Sequence, residues 1–168
     1  NTVAALDWGG TIMNRYMSRD NKSRHRRYTS DVFEMAAAIV NQASIQCIAM
    51  YPNNLSELPQ HEIDFLKSVP TTWDETRFVD GYPGKYAVVA RRHGDKWYVA
   101  ALNGTNKPLS INLSLPMLAG KQVTYHYETA DKKSLWPKSD VKTTKVGKDG
   151  KLKIVMQPMG GNIVLGEA

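Results

Sequence analysis

The hydrophobic period of this chain changes once, near Pro70, and that change constrains the fold more than any other feature. Before Pro70 the apolar residues recur as on helices or as on a strand buried on both faces. After it they alternate, as on strands with one wet face. The clearest stretch is Leu109, Ile111, Leu113 and Leu115 alternating with Ser110, Asn112 and Ser114. Successive strand residues point to opposite faces, so this stretch has a leucine-rich core face and a polar outer face.

The second half predicts an antiparallel β domain. Lys85 to Arg92 and Lys96 to Leu102 flank His93-Gly94-Asp95, a hairpin signature. Asn103-Gly104-Thr105-Asn106 is the next turn, and Val123 to Tyr127 follows Gly120-Lys121. Val141 to Val146 and Leu152 to Met156 flank Gly147-Lys148-Asp149-Gly150, and Asn162 to Leu165 is the last strand. Strands at this spacing make a small sandwich or barrel.

The first half predicts a different architecture. Residues 1 to 28 are polar, with Gly9-Gly10 and many arginines, and read as a long loop. Thr29 or Ser30 caps a helix whose first turn carries Asp31 and Glu34. Its apolar stripe is Val32, Phe33, Met35, Ala36, Ile39 and Val40. Ile45 to Tyr51 reads as a short buried strand because its apolar residues face both ways. Pro59 opens a second helix with Ile63, Phe65, Leu66 and Val69 inward. Loop, helix, buried strand, helix is a slice of an α/β fold, since a parallel strand needs neighbours on both edges. The fold class is therefore α+β: residues 1–70 the last repeat of a larger α/β fold, residues 71–168 an antiparallel β domain. The opening Asn1-Thr2-Val3 lacks an initiator Met, which reads as a cut or processed product.

Composition narrows the function. The net charge of +6 comes from 22 basic and 16 acidic residues. Arg15, Arg19, Lys22, Arg24, Arg26 and Arg27 form one basic stretch and Lys132 to Lys153 the other. The lysines are interleaved with Thr, Ser and Gly, as on the wet face of strands whose edges need protection from pairing. Few aromatics accompany them, so a nucleic-acid partner is not expected. No apolar run is long enough to span a membrane. The single cysteine, Cys47, sits in an apolar run and reads as a small buried hydrophobe.

Signatures of common chemistry are missing: no nucleophile elbow, phosphate loop, zinc motif or paired cysteines. The four histidines, His25, His61, His93 and His126, fall in four segments and read as scattered surface residues. Sugar hydrolysis needs two carboxylates about 5 to 9.5 Å apart. Asp7 and Asp20 are the acids of the long loop, and an ion pair with a neighbouring arginine explains either one without catalysis. Trp97 and Tyr98 point to opposite faces of their strand, so at most one is outward. Trp136, in a loop, is the better candidate for a surface aromatic that stacks on sugar.

The stretches LKSVPTTWDETRFVDGYPGKY (Leu66 to Tyr86) and ARRHGDKWYVA (Ala90 to Ala100) resemble the C-terminal part of glycoside hydrolase family 97. QPMGGNIVL (Gln157 to Leu165) resembles its closing strand. LDWGG (Leu6 to Gly10) resembles a loop on the active-site side of its barrel, and AMYP (Ala49 to Pro52) the end of its last barrel strand. The resemblance implies a periplasmic or secreted α-glucosidase or α-galactosidase, retaining or inverting, with residues 1–70 the end of its (β/α)8 catalytic barrel. It implies a structural, oligomerising β domain and a calcium ion whose ligands, like the catalytic carboxylates, lie outside this chain. No catalytic or metal-binding residue is assigned here. Barrel active sites lie at the carboxyl ends of the strands. Asp7, Trp8, Arg15, Asp20, Tyr51 and Asn53 are thus the expected rim of an α-linked sugar pocket. The expected partners are the remainder of the enzyme or a second copy. The alternative reading is a carbohydrate-binding β module without catalysis.

Overall fold

The computed structural model describes residues 8–17, 25–41 and 43–168. The chain begins with a parallel β-α-β unit. Strand β1 (Trp8–Ile12) is followed by helix α1 (Asp31–Val40) and strand β2 (Gln46–Ala49). Thr11 pairs with Ile48 and Ile12 with Ala49. Residues 8–12 are therefore a strand and not loop, a correction to the sequence reading. Gly9-Gly10 breaks any visible alternation, and the partner strand lies far along the chain, so no local pattern announces the pairing. A one-turn helix α2 (Asn54–Glu57) and helix α3 (Gln60–Ser68) complete this part. Ser30 caps α1 as expected, its Oγ accepting the Phe33 N–H at 3.0 Å.

Eight antiparallel strands follow: β3 (Glu75–Tyr82), β4 (Tyr86–His93), β5 (Lys96–Asn103), β6 (Leu109–Ser114), β7 (Gln122–Thr129), β8 (Lys138–Lys145), β9 (Lys151–Met156) and β10 (Gly161–Glu167). Six form one sheet in the order β3-β4-β5-β10-β7-β8, and β6 pairs with β9 in a second, two-stranded sheet. The alternation in β6 holds. Leu113 and Leu115 are buried, Leu109 and Ile111 are half-buried against the same core, and Ser110, Asn112 and Ser114 are exposed. The lysine-rich β8 is an edge strand of the large sheet, where lysine discourages pairing with another chain.

The large sheet is covered on both faces. Trp97, Val99 and Ala101 of β5 join Val164 of β10 in the core shared with β6 and β9. Tyr98 and Ala100 of β5 and Ile163 and Leu165 of β10 face the other way, onto Val32, Met35, Ala36 and Ile39 of α1. The helical stripe thus finds its cover on the β domain. Strand β5 is buried along nearly its whole length, which removes both Trp97 and Tyr98 as surface aromatics. The helix comes so close that a Cβ on Gly161 would meet the Val32 carbonyl oxygen at 2.8 Å. Only glycine allows that approach.

Candidate functional site

Polar side chains hold α1 at both ends. At its amino end Glu128 on β7 accepts the Val32 N–H at 3.2 Å and the Gly161 N–H at 3.2 Å. At its carboxyl end Arg91 on β4 donates to the Ile39 carbonyl at 2.7 Å and the Val40 carbonyl at 3.1 Å. A carboxyl group at the positive end of a helix and a guanidinium at the negative end both complement its dipole.

Beside this clasp lies a buried charged cluster. Asp31 receives Nε of Arg15 at 3.1 Å on each of its oxygens, and it also pairs with Arg27. Burial alone would raise the Asp31 carboxyl, but the hydrogen bond from Arg15 and the charges of both arginines outweigh it and hold it low. Glu34 binds the Ile12 N–H at 2.9 Å and the Thr29 hydroxyl, tying β1 to α1. Glu62 on α3 is fully buried, bonded to the Ser139 hydroxyl, and pushed up to about 8 by burial and then by Asp31. Glu128 is pushed up to about 7 by burial, against the hydrogen bonds it accepts.

Two histidines expected at the surface meet here. The rings of His61 and His126 are 5.6 Å apart, and His126 is buried. Burial first, then His61 and Lys96, bring His126 down to about 4. Perturbed carboxyls and histidines mark many active sites. Glu62 and Glu128, however, are buried, and their hydrogen bonds tie α3 to β8 and α1 and β10 to β7, so this cluster fastens the β-α-β unit to the β domain. Trp136 belongs to it as well. It is buried, its Nε1 donates to the Arg27 carbonyl at 3.1 Å, and the expectation of a surface aromatic is corrected.

An open groove lies at the carboxyl ends of β1 and β2. The groove, of about 410 Å³, is lined by Gly9, Ile12, Asn14, Met17, Ala49, Met50 and Tyr51. Tyr51 and Met17 are exposed at its mouth, and Met17 takes a left-handed φ of 53°. Of the residues expected at a sugar pocket, Tyr51 lines this groove. Arg15 follows β1 but turns its guanidinium to Asp31, with the Trp136 ring 5.6 Å away. Asn53 donates to Glu57 Oε1 at 3.1 Å and is not among the lining residues. Trp8 starts β1 opposite Gln46, at the amino end of the strand. Asp7 and Asp20 lie outside the described residues.

Cys47, expected to be buried, is exposed, as is its neighbour Ile45. Ile48 packs inward on the α1 core, so the alternate side chains of β2 open to solvent. Among the described residues no three His, Cys, Asp or Glu side chains converge to hold a metal.

The described residues form a β sandwich whose large sheet carries a parallel β-α-β unit on its outer face. Residues 72–165 match the family described as glycosyl-hydrolase 97 C-terminal, oligomerisation, and the chain belongs to that family. A crystal structure of a β-arabinopyranosidase is similar over 98% of this chain, at 45% identity and a TM-score of 0.90. A glycoside hydrolase family 97 enzyme from Pseudoalteromonas sp. strain K8, in complex with panose, is 26% identical over 86% of this chain, with a TM-score of 0.71. A retaining α-galactosidase of Bacteroides thetaiotaomicron is 27% identical over 129 residues, or 76% of this chain. The chain spans 19% of that galactosidase, 26% of the arabinopyranosidase and 23% of the Pseudoalteromonas enzyme.

Proposed function

We propose that this chain is the C-terminal portion of a periplasmic or secreted glycoside hydrolase acting on galacto-configured α-glycosides. In this reading β1, α1, β2 and α3 close a (β/α)8 barrel. The β domain clamps that end and carries the oligomerising surface. The observation that carries the reading is the likeness to the β-arabinopyranosidase across 98% of the chain, which includes both the β-α-β unit and the β domain. The open edges of β1 and β2 and the exposed Cys47 and Ile45 support it, because closed barrels leave neither.

The substrate class follows from stereochemistry. A β-arabinopyranoside of the L series has the ring configuration of an α-D-galactopyranoside that lacks its hydroxymethyl group. An arabinopyranosidase and an α-galactosidase among the similar proteins therefore point to one ring shape. The two carboxylates that such a reaction needs, and the ligands of a calcium ion, are proposed to lie on the rest of the polypeptide. Tyr51 and the loops after β1 and β2 form one wall of the pocket.

The complete polypeptide should be assayed on 4-nitrophenyl α-D-galactopyranoside, β-L-arabinopyranoside and α-D-glucopyranoside, with the released anomer followed by NMR. Hydrolysis of the first two with retention is expected, the glucoside being the poorer substrate. No hydrolysis of any of them, or hydrolysis of the glucoside alone, would overturn the reading.

A further inference from the structure

Two loops from different strands meet on one side chain. Asn54 Oδ1 accepts the Tyr51 backbone N–H at 2.8 Å and the Asn14 amide at 3.1 Å. Its own amide donates to Glu57 Oε2 at 3.3 Å. Asn14 passes the connection on, its Oδ1 accepting the Tyr16 N–H at 3.1 Å. Asn14 and Asn54 are 2% and 3% exposed, so water does not compete for these bonds. The loops they join are the ones that follow the carboxyl ends of β1 and β2, where ladder bonds end. They also carry Met17 and Tyr51, which flank the groove mouth.

Residue chemistry singles out the asparagine. Its position needs an oxygen that accepts two N–H groups and a nitrogen that donates to a carboxylate, and asparagine has both. Aspartate keeps the acceptors but sets a second carboxylate against Glu57. Alanine leaves the Tyr51 N–H and the Asn14 amide without that partner.

We propose that Asn54 is a positioning residue that clasps the loops after β1 and β2 and so fixes Tyr51 as the wall against which a pyranose ring rests. Asn54 touches no sugar itself and acts through Tyr51. The inference rests on the proposed glycosidase function, and its test has one arm that does not.

In the 168-residue chain, the Tyr51 amide proton should exchange at least about fivefold faster in Asn54→Ala than in the natural sequence, since a lost buried hydrogen bond costs about 1 kcal/mol or more. In the complete polypeptide, Asn54→Ala should raise KM for 4-nitrophenyl α-D-galactopyranoside about 10- to 100-fold with kcat much less affected. Asn54→Asp should do the same, and adding Glu57→Gln to it should restore KM by exchanging donor and acceptor across the pair. Unchanged Tyr51 exchange, or unchanged KM in a folded Asn54→Ala enzyme, overturns the proposal. So does a folded Asn54→Asp, Glu57→Gln enzyme that fails to recover. An inactive natural polypeptide would sink the glycosidase reading, while the Tyr51 amide would still judge the clasp.

Discussion

The Glu128 carboxyl on β7 accepts the backbone N–H of Val32, the second residue of helix α1, across 3.2 Å and a sequence separation of 96 residues. With Arg91 at the far end of the same helix, it fastens the β-α-β unit to the sheet. Glu128→Ala leaves the Val32 and Gly161 N–H groups buried without that acceptor. Each unsatisfied group costs about 1 to 3 kcal/mol. Urea unfolding of the variant should show a loss of about 2 to 6 kcal/mol for the two groups together, and exchange of the α1 amides should rise before that of β5.

The buried acids give the fold an unusual pH dependence. Glu62 and Glu128 rise from 4.5 to about 8 and about 7, so the folded chain holds protons that the unfolded chain releases. Their contribution is present at low pH and is lost as pH rises through the folded values. His126 falls from 6.5 to about 4, so the folded chain refuses a proton that the unfolded chain takes, and that contribution is lost as pH falls below 6.5. The melting temperature should therefore decline from about pH 4.5 to 8, most clearly above pH 6.5 where His126 no longer opposes it, by about 2 to 4 °C for each kcal/mol lost. Glu62→Gln should flatten the decline above pH 6.5, and His126→Leu should steepen the part below it. A melting temperature that rises across the alkaline window would contradict the assignment.

The small sheet offers a graded test. Leu113 is 1% exposed and Ile111 only half-buried. Leu113→Ala should cost about 2 to 5 kcal/mol, and Ile111→Ala distinctly less. Equal losses would mean that the two residues share one environment, against the packing described.

What was legible in the sequence was whatever depends on near neighbours. The period-two pattern of β6, the hairpin between β4 and β5, and the cap and stripe of α1 all come from local residues. Strand β1 was hidden because its partner is β2 and its own residues include two glycines. The buried ionisable groups were hidden because burial is decided by the opposite element. Glu128 sits on a strand whose second face is covered by α1, a helix nearly a hundred residues earlier. One signal was available: Glu62 stands on the same helical face as Phe65, Leu66 and Val69, and a carboxylate on an apolar stripe is a buried carboxylate. His61 and His126 carried no such mark, being brought together only by the packing of α3 on β7. At the groove, barrel logic points to Tyr51, which is one of its lining residues, while Asn14 and Asn54 carry no mark in the sequence because they make contacts between loops.

The most direct test of the central claim is the reactivity of Cys47. In this chain the thiol is exposed on β2, on the side away from the α1 core. If β1 and β2 close a barrel, the rest of the polypeptide covers that side with packed side chains. Native alkylation with iodoacetamide, quantified by mass spectrometry of the Cys47 peptide, should be fast in the 168-residue chain. In the complete polypeptide it should be slower by about 100-fold or more, as opening the barrel would cost several kcal/mol. Equal labelling rates in the two proteins would mean that nothing covers β2 and would contradict the barrel end.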